Sequence, residues 1–303
     1  MIPGLTARAL AAWAGTDRVA ALPELLHRLV GRPITPGSAQ LALFVGGATV
    51  PAAWIRELDA LVDLGLVDVD HELARATVAV VPLGKALMVC DRLDTRLDDE
   101  HVCWPDDSSH HLAQALPAGR VARWLDLGCG SAFAPLARPE LAHAITGVDL
   151  NPRAIHYARL GARLSRIGHL ELVEGDVGAA TGQYELVTCN APIPDAIANA
   201  PMWQTTTRAF FDRLIETAAR CVAPGGLVVL HAWLAAVPEL PGEAIICSYT
   251  PDDDFGIVWW RPDGPPQRRQ HRRLLTDERP HLDASDREPH PEGTGSPGSS
   301  LAC

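Results

Sequence analysis

The sequence predicts an α/β fold with a largely parallel sheet, and two observations carry that expectation. From about residue 97 to 261, short apolar segments of strand length alternate with longer helical patterns, as a parallel sheet with crossover helices requires. A glycine-containing loop, Leu125-Asp126-Leu127-Gly128-Cys129-Gly130-Ser131, follows the first of these segments and precedes a helix. Doubly wound sheets bind nucleotide-like ligands at that place.

In chain order, Val121 to Leu127 reads as strand one, Ala144 to Asp149 as strand two and Leu170 to Glu174 as strand three. Tyr184 to Asn190 and Gly226 to Trp233 are strands four and five. Helices fall between them, most clearly Pro152 to Ser165, with Asn151 as its cap and Pro152 at its first position, and Thr206 to Val222. Two further strands, Ala244 to Tyr249 and Phe255 to Trp260, flank the polar turn Thr250 to Asp254.

Ahead of this region, residues 1–96 form a separate unit. Helical patterns at Leu5 to Val30, Ser38 to Val45 and Trp54 to Leu64 lead into strands around Val67 to Val69 and Thr77 to Val81, joined by the polar stretch Asp70 to Arg75. Helices followed by a hairpin suggest a winged-helix-like capping or dimerisation domain. From Pro262 to residue 303 the chain is rich in Pro, Gly, Ser and mixed charge, which predicts a disordered tail holding the dense arginine cluster Arg268 to Arg273.

The formal net charge of −11 is spread along the chain and Lys85 is the only lysine, which argues against strong binding to nucleic acid phosphates. No apolar run approaches the roughly 20 residues of a membrane span, and the N-terminus lacks a charged-then-apolar signal pattern. Seven cysteines occur singly, with no C-x-x-C pair. Free thiols in a cytoplasmic protein, without a metal site, are expected.

The glycine loop departs from a dinucleotide fingerprint at two positions. Phe133 stands where a third glycine would be, and Asp126 stands where an apolar strand-end residue is usual. A carboxylate there repels a pyrophosphate but suits S-adenosylmethionine, whose amino group and sulfonium are cationic. Gly128, Cys129 and Gly130 would let the backbone approach that cofactor. Asp149, ending strand two about 20 residues on, is placed to accept from both ribose hydroxyls, with Leu150 beside it. After strand three, Asp176 could take the adenine amino group while the Val177 N–H meets the ring. Each acidic strand end alone is often a helix cap; three in order at these spacings point to one cofactor.

With these motifs the chain resembles the class I methyltransferases, within them the small-methyltransferase group that includes glutamine methyltransferases of release factors and N-methyltransferases of RNA bases. The resemblance covers roughly residues 97–261 and implies a Rossmann-like seven-stranded methyltransferase sheet closed by an antiparallel hairpin. Its most diagnostic segment is Val187-Thr188-Cys189-Asn190-Ala191-Pro192-Ile193. The group reads Asn-Pro-Pro-aromatic there, the Asn side chain and a following carbonyl accepting from the acceptor nitrogen. Asn190 and Pro192 match, Ala191 replaces the first proline, and Ile193 replaces the ring that would stack on a planar acceptor.

Upstream, His101 to His111, with Trp104-Pro105-Asp106-Asp107-Ser108-Ser109 at its centre, resembles the segment that lies over the cofactor in that group. Ser108 or Ser109 either caps the following helix or touches cofactor. His110 and His111 are either general bases or solvated histidines at a helix start. Trp203 and Phe210-Phe211 either wall the acceptor pocket or belong to the core, and Cys129 and Cys189 read as small fillers with no base to activate them.

The expected activity is S-adenosylmethionine-dependent methyl transfer to an N or O acceptor on a small molecule or peptide, such as a specialised metabolite. Asn190, Pro192, His110 and His111 are the acceptor-side candidates. The alternatives are a protein-glutamine or RNA-base N-methyltransferase and, in another class, a non-catalytic cofactor-sensing or DNA-binding winged-helix protein. Nucleic acid and membrane are disfavoured as partners, and homodimerisation is left open.

Overall fold

In a computed structural model of the chain, the structure describes residues 33–92, 94–95, 100–194, 205–248 and 255–272. The helix expected at Leu5 to Val30 and the pocket candidate Trp203 lie outside the described residues.

The N-terminal part runs α1 (Ala39–Phe44), β1 (Val50–Pro51), α2 (Leu58–Asp63), β2 (Val67–Asp70) and β3 (Leu73–Ala76), then β4 (Ala79–Leu83) and β5 (Ala86–Cys90). Two hairpins occur where one was expected. His71 takes a left-handed φ of 53°, so the chain reverses inside the polar stretch expected to be a loop, and Asp70 pairs with Leu73. The third helix is also shorter than expected: Ala52–Trp54 is a separate 3-10 turn and Ile55 is extended before α2 begins.

The second hairpin, β4 with β5, is buried on both faces. Leu87 and Val89 pack with Leu160 and Leu164 in one core cluster, and the Leu87 N–H donates to Ser165 Oγ at 2.8 Å. Residues that read as N-terminal thus rest directly on a helix of the sheet domain.

That domain comprises α3 (Asp107–Ala115), β6 (Val121–Leu127), α4 (Phe133–Ala137), β7 (Ala142–Asp149), α5 (Pro152–Leu164), β8 (Leu170–Glu174), β9 (Tyr184–Asn190), β10 (Ile193–Pro194), β11 (Thr205–Thr206), α6 (Arg208–Cys221), β12 (Val222–Trp233), β13 (Glu243–Ser248), β14 (Phe255–Arg261) and β15 (Gln267–Arg272). The sheet order is β15-β13-β14-β12-β9-β6-β7-β8. The run from β12 to β8 is parallel, β14 is antiparallel to both β12 and β13, and β15 is parallel to β13.

Leu227, Val228, Val229 and Leu230 of β12 are fully buried in succession, the signature of a strand covered on both faces. Phe211, Leu214 and Ala218 of α6 cover one face with Val228 and Leu230. Leu112 and Leu116 cover the other with Trp124 and Val229. Asn151 caps α5, its Oδ1 accepting from the Arg153 N–H at 2.9 Å and the Ala154 N–H at 3.3 Å.

The sheet has eight strands rather than seven. Gln267–Arg272, which the composition places in a disordered tail, forms the edge strand β15 on β13. Its polar sequence hides it because an edge strand needs backbone pairing on one side only, and charged residues are usual there.

Candidate active site

Strand alternation at the end of β6 buries Leu125 and Leu127 and leaves Asp126 beside Gly147 of β7 and Thr188 of β9. The side on which successive strands are added switches at this point, since β7 lies on one side of β6 and β9 on the other. That crevice is where doubly wound folds hold ligands. The loop above it needs Gly128 and Gly130, with φ of 64° and 54°. A Cβ on either would meet nothing within 4 Å, so the loop presents open space to a ligand. Its underside is tight: Cys129 N–H donates to the Val148 carbonyl at 3.0 Å, and a Cβ on Gly147 would lie 2.9 Å from Cys129 Sγ.

Asp149 is locked from two sides. The Gly130 N–H donates to Oδ2 at 2.7 Å and the Asn151 N–H to Oδ1 at 2.9 Å. Burial raises its pKa, and these backbone donors oppose the rise. Asp126 is buried more deeply. Desolvation pushes its carboxyl up to about 7, against the Thr188 hydrogen bond and with a further push from Asp149. Neither carboxylate is paired with an arginine or lysine among the described residues. Two close, desolvated carboxylates lacking a countercharge suit a cationic ligand. Next to Asp149 in sequence, Leu150 is 58% exposed, an apolar side chain open to a ligand. The carboxylates, the open glycine face and this side chain fit the sulfonium, ammonium, ribose and adenine of S-adenosylmethionine.

Asp176 also has a local task. Its Oδ1 accepts from the Gly178 N–H at 2.7 Å, capping the turn Val177–Ala179, while Arg213 Nη2 lies 3.4 Å from Oδ2. The Val177 side chain is buried with Val148 and Leu214.

Asn190 ends β9, and its Nδ2 donates to Ser108 Oγ at 2.7 Å. Ser108 Oγ in turn donates to Asp106 Oδ1 at 2.5 Å. A carboxylate only accepts, so Ser108 spends its proton there and must receive the Asn190 amine end. The structure thereby brings the 101–111 segment onto the Asn190 loop, 82 residues away in sequence. The helix cap is Asp106, accepting from the Ser109 N–H at 3.1 Å, rather than either serine. Ala191 is buried, with its N–H donating to the His231 carbonyl, and Pro192 is half-buried. Ile193 lies in β10, paired with Thr205 of β11.

His110 is buried, its ring centroid 5.0 Å from that of Phe133 in an edge-to-face contact, so the solvated reading does not hold for it; His111 is half-buried. Phe211 is core and Phe210 packs on that core. Cys129 and Cys189 are buried, and desolvation drives both thiols well above their ordinary range, which keeps them from acting as nucleophiles.

Three features escaped the sequence reading. Trp124 Nε1 donates to Thr188 Oγ1 at 2.7 Å, and Thr188 Oγ1 donates to Asp126 Oδ1 at 2.5 Å. Asp91, buried after β5, accepts from the Val102 N–H, Tyr157 Oη and Arg153 Nη1 at 2.9, 3.0 and 3.2 Å, tying the 101–111 segment to α5. Ser131 Oγ, directly after the glycine loop, is buried without a partner. The signal available for the first was the two-residue spacing of Trp124 and Asp126, which puts both on one face of β6.

Residues 104–241 match the family model described as the methyltransferase small domain, a stretch that starts at Trp104 and takes in the glycine loop, Asp149, Asp176 and Asn190. That similarity takes in the stretch whose glycine loop and strand-end carboxylates suit S-adenosylmethionine.

Among curated proteins, the chain is 38% identical over 53 residues to an uncharacterized RNA methyltransferase of Protochlamydia amoebophila, covering 18% of this chain and 12% of that protein. It is 29% identical over 122 residues to the ubiquinone biosynthesis O-methyltransferase of Xanthomonas campestris pv. campestris, covering 38% of this chain and 44% of that one. The chain therefore spans less than half the length of either relative. Among solved structures, the tRNA m1G37 methyltransferase of M. jannaschii aligns at 15% identity and a TM-score of 0.41, covering 60% of this chain and 55% of that one. An rRNA methylase from Streptococcus thermophilus aligns at 12% identity and a TM-score of 0.36, covering 50% and 92%. Among the described residues no cluster of side chains suits a metal ion, and no helix is long and apolar enough to cross a membrane.

Proposed function

We propose that this chain is an S-adenosylmethionine-dependent methyltransferase that moves the methyl group to a nitrogen or oxygen of a small-molecule or peptide acceptor held between Asn190 and the 101–111 segment. The observation that carries the reading is the hydrogen-bond chain from Asn190 through Ser108 to Asp106. It fixes the amide so that its NH2 end faces Ser108 and its carbonyl is the end that accepts from an acceptor's N–H or O–H. When bound, the cofactor supplies a methyl group already made electrophilic by the sulfonium. This chain's residues then bind and orient: Asp149 takes the ribose hydroxyls with Leu150 beside it, the Val177 N–H meets the adenine ring with Asp176 at its amino group, Gly128, Cys129 and Gly130 line the backbone approach, and Asp126 faces the cationic end.

Pro192 shapes the loop that carries the acceptor. His110, packed on Phe133 of α4, and His111 are the general-base candidates. Residues 1–96 serve as a capping or dimerisation unit, and Asp91, near its end, couples it to the segment over the site. Ala191 and Ile193, in place of proline and an aromatic ring, and the net charge of −11 favour a small molecule or peptide. The name of the Xanthomonas relative, an O-methyltransferase of ubiquinone biosynthesis, supports the same class.

An RNA acceptor is a second reading, favoured by β15. The strand holds Arg268, Arg269 and Arg272 and runs parallel to β13, so it carries arginines along the sheet edge towards the end at which Asp126 and Asn190 lie. Transfer of labelled methyl from S-adenosylmethionine across a panel of phenols, amines, peptides and total RNA tests both. Label in a phenol, amine or peptide that falls at least about 100-fold in Asn190→Ala, with cofactor affinity retained, supports the proposal. Label in RNA alone moves the assignment to the second reading, and transfer indifferent to Asn190→Ala removes Asn190 from the site.

A further inference from the structure

The chain Trp124 Nε1–H to Thr188 Oγ1–H to Asp126 Oδ1 has a direction that its chemistry imposes. An indole N–H only donates, so Trp124 occupies a lone pair of the Thr188 hydroxyl at 2.7 Å. Thr188 then has its proton to give, either to Asp126 Oδ1 at 2.5 Å or, with poorer geometry, to the Leu125 carbonyl at 3.5 Å. A protonated Asp126 accepts that proton only as an ordinary neutral hydrogen bond on its carbonyl oxygen. An ionised Asp126 accepts it in a charge-assisted bond about twice as strong, so the donated proton favours the carboxylate. Trp124 and Thr188 are both fully buried, so bulk solvent does not reach either partner.

We propose that Trp124 and Thr188 are positioning residues for cofactor capture, committing a hydroxyl proton to Asp126 so that its carboxylate is the form presented to the cationic cofactor. The inference rests on the reading that Asp126 faces the cofactor's charge. The titratable groups that act on Asp126 from neighbouring elements are Asp149 at the end of β7, Cys129 in the glycine loop and Cys189 on β9. Both thiols stay protonated, so Asp149 is the one neighbouring charge, and it opposes ionisation. Because burial brings Asp126 to about 7, cofactor uptake near neutrality releases a proton from the Asp126 carboxyl to solvent.

Calorimetric titration of S-adenosylmethionine into the full chain from pH 6 to 9, in two buffers of different ionisation enthalpy, reads both affinity and proton release. For the wild type, affinity weakens below about pH 7 and binding is accompanied by net proton release there. Thr188→Val, nearly isosteric, moves the fall in affinity to higher pH by about one unit, so that binding is about fivefold weaker at pH 7, about tenfold weaker at pH 6, and approaches wild type at pH 9. Trp124→Phe shifts it the same way by less, since the hydroxyl survives but is freed to turn. Thr188→Ser keeps the hydroxyl, restores the wild-type profile, and serves as the folded control.

A Thr188→Val profile superimposable on wild type, or one weakened equally at every pH, overturns the proposal, because a structural role alone gives the latter. Asp126→Asn separates the two levels. If it binds like wild type at every pH, the placement of Asp126 at the cofactor fails. If it binds weakly while Thr188→Val is unchanged, only the positioning role fails.

Discussion

Gly147 tests how the sheet sets the cofactor loop. In Gly147→Ala the new methyl would lie 2.9 Å from Cys129 Sγ, 3.2 Å from Cys129 Cβ and 3.0 Å from Leu172 Cδ2. Leu172 can yield by rotating its side chain. Cys129 cannot easily do so, since its N–H is bonded to the Val148 carbonyl and it sits between two glycines whose conformations the loop requires. The loop must therefore rise by several tenths of an ångström. Overpacking of this kind costs about 1–3 kcal/mol. In a chain of this size that lowers Tm by roughly 2–4 °C per kcal/mol, so a fall of about 2–12 °C is expected. The same shift draws the Gly130 N–H from Asp149 Oδ2, now 2.7 Å away, and S-adenosylmethionine affinity should fall about tenfold. Differential scanning fluorimetry and calorimetric titration read the two effects. The double variant Gly147→Ala/Cys129→Ala removes the opposing sulfur and should recover most of both, a coupling of about 1 kcal/mol or more. If the single variant leaves Tm and affinity unchanged, or the double is no better than the single, the loop does not rest on β7 as described.

Two other outcomes follow from the buried charges. Asp126 and Asp149 have pKa values raised on folding, so the stability they contribute is complete below the unfolded-chain value near 4 and is lost as pH rises through the folded values, about 7 for Asp126. Tm of the cofactor-free protein should therefore rise between pH 8 and pH 6, and Asp126→Asn should flatten that rise; a Tm independent of pH over this range in wild type contradicts it. Asp91→Ala removes the acceptor shared by the Val102 N–H, Tyr157 Oη and Arg153 Nη1, leaving Arg153 without its buried partner. A loss of about 2–4 kcal/mol is expected, discounted because Arg153 is partly exposed, and denaturant unfolding will show it as a lower midpoint at constant slope.

Strands β6 and β9 stand where their apolar runs place them, because a strand covered on both faces reads as a short apolar segment between turn residues. The glycine loop and Asp149 were legible because their spacing is set by local geometry, strand to turn to helix. What was not legible depends on contacts between distant segments. Nothing within 101–111 or 187–193 announces that Ser108 meets Asn190, and the pairing exists only because α3 packs across β9 and β12. The burial of His110 follows from Phe133 in another helix. The β4–β5 hairpin had the apolar pattern of a strand pair, but its docking on α5 through Ser165 is a tertiary fact. Strand β15 lacked any apolar signal, since its partner β13 supplies only backbone. Helix α5, by contrast, was read almost to the residue because Asn151 and Pro152 state its start in local chemistry.

The central claim is that the crevice between the glycine loop and Asp149 holds S-adenosylmethionine. Calorimetric titration of S-adenosylmethionine into the wild type and Asp149→Ala, with NAD as the control ligand, tests it most directly. Micromolar binding by the wild type, lost by at least about 100-fold in the variant, with no binding of NAD, is the expected result. Wild-type binding that Asp149→Ala leaves intact, or NAD binding in preference to S-adenosylmethionine, would contradict the account.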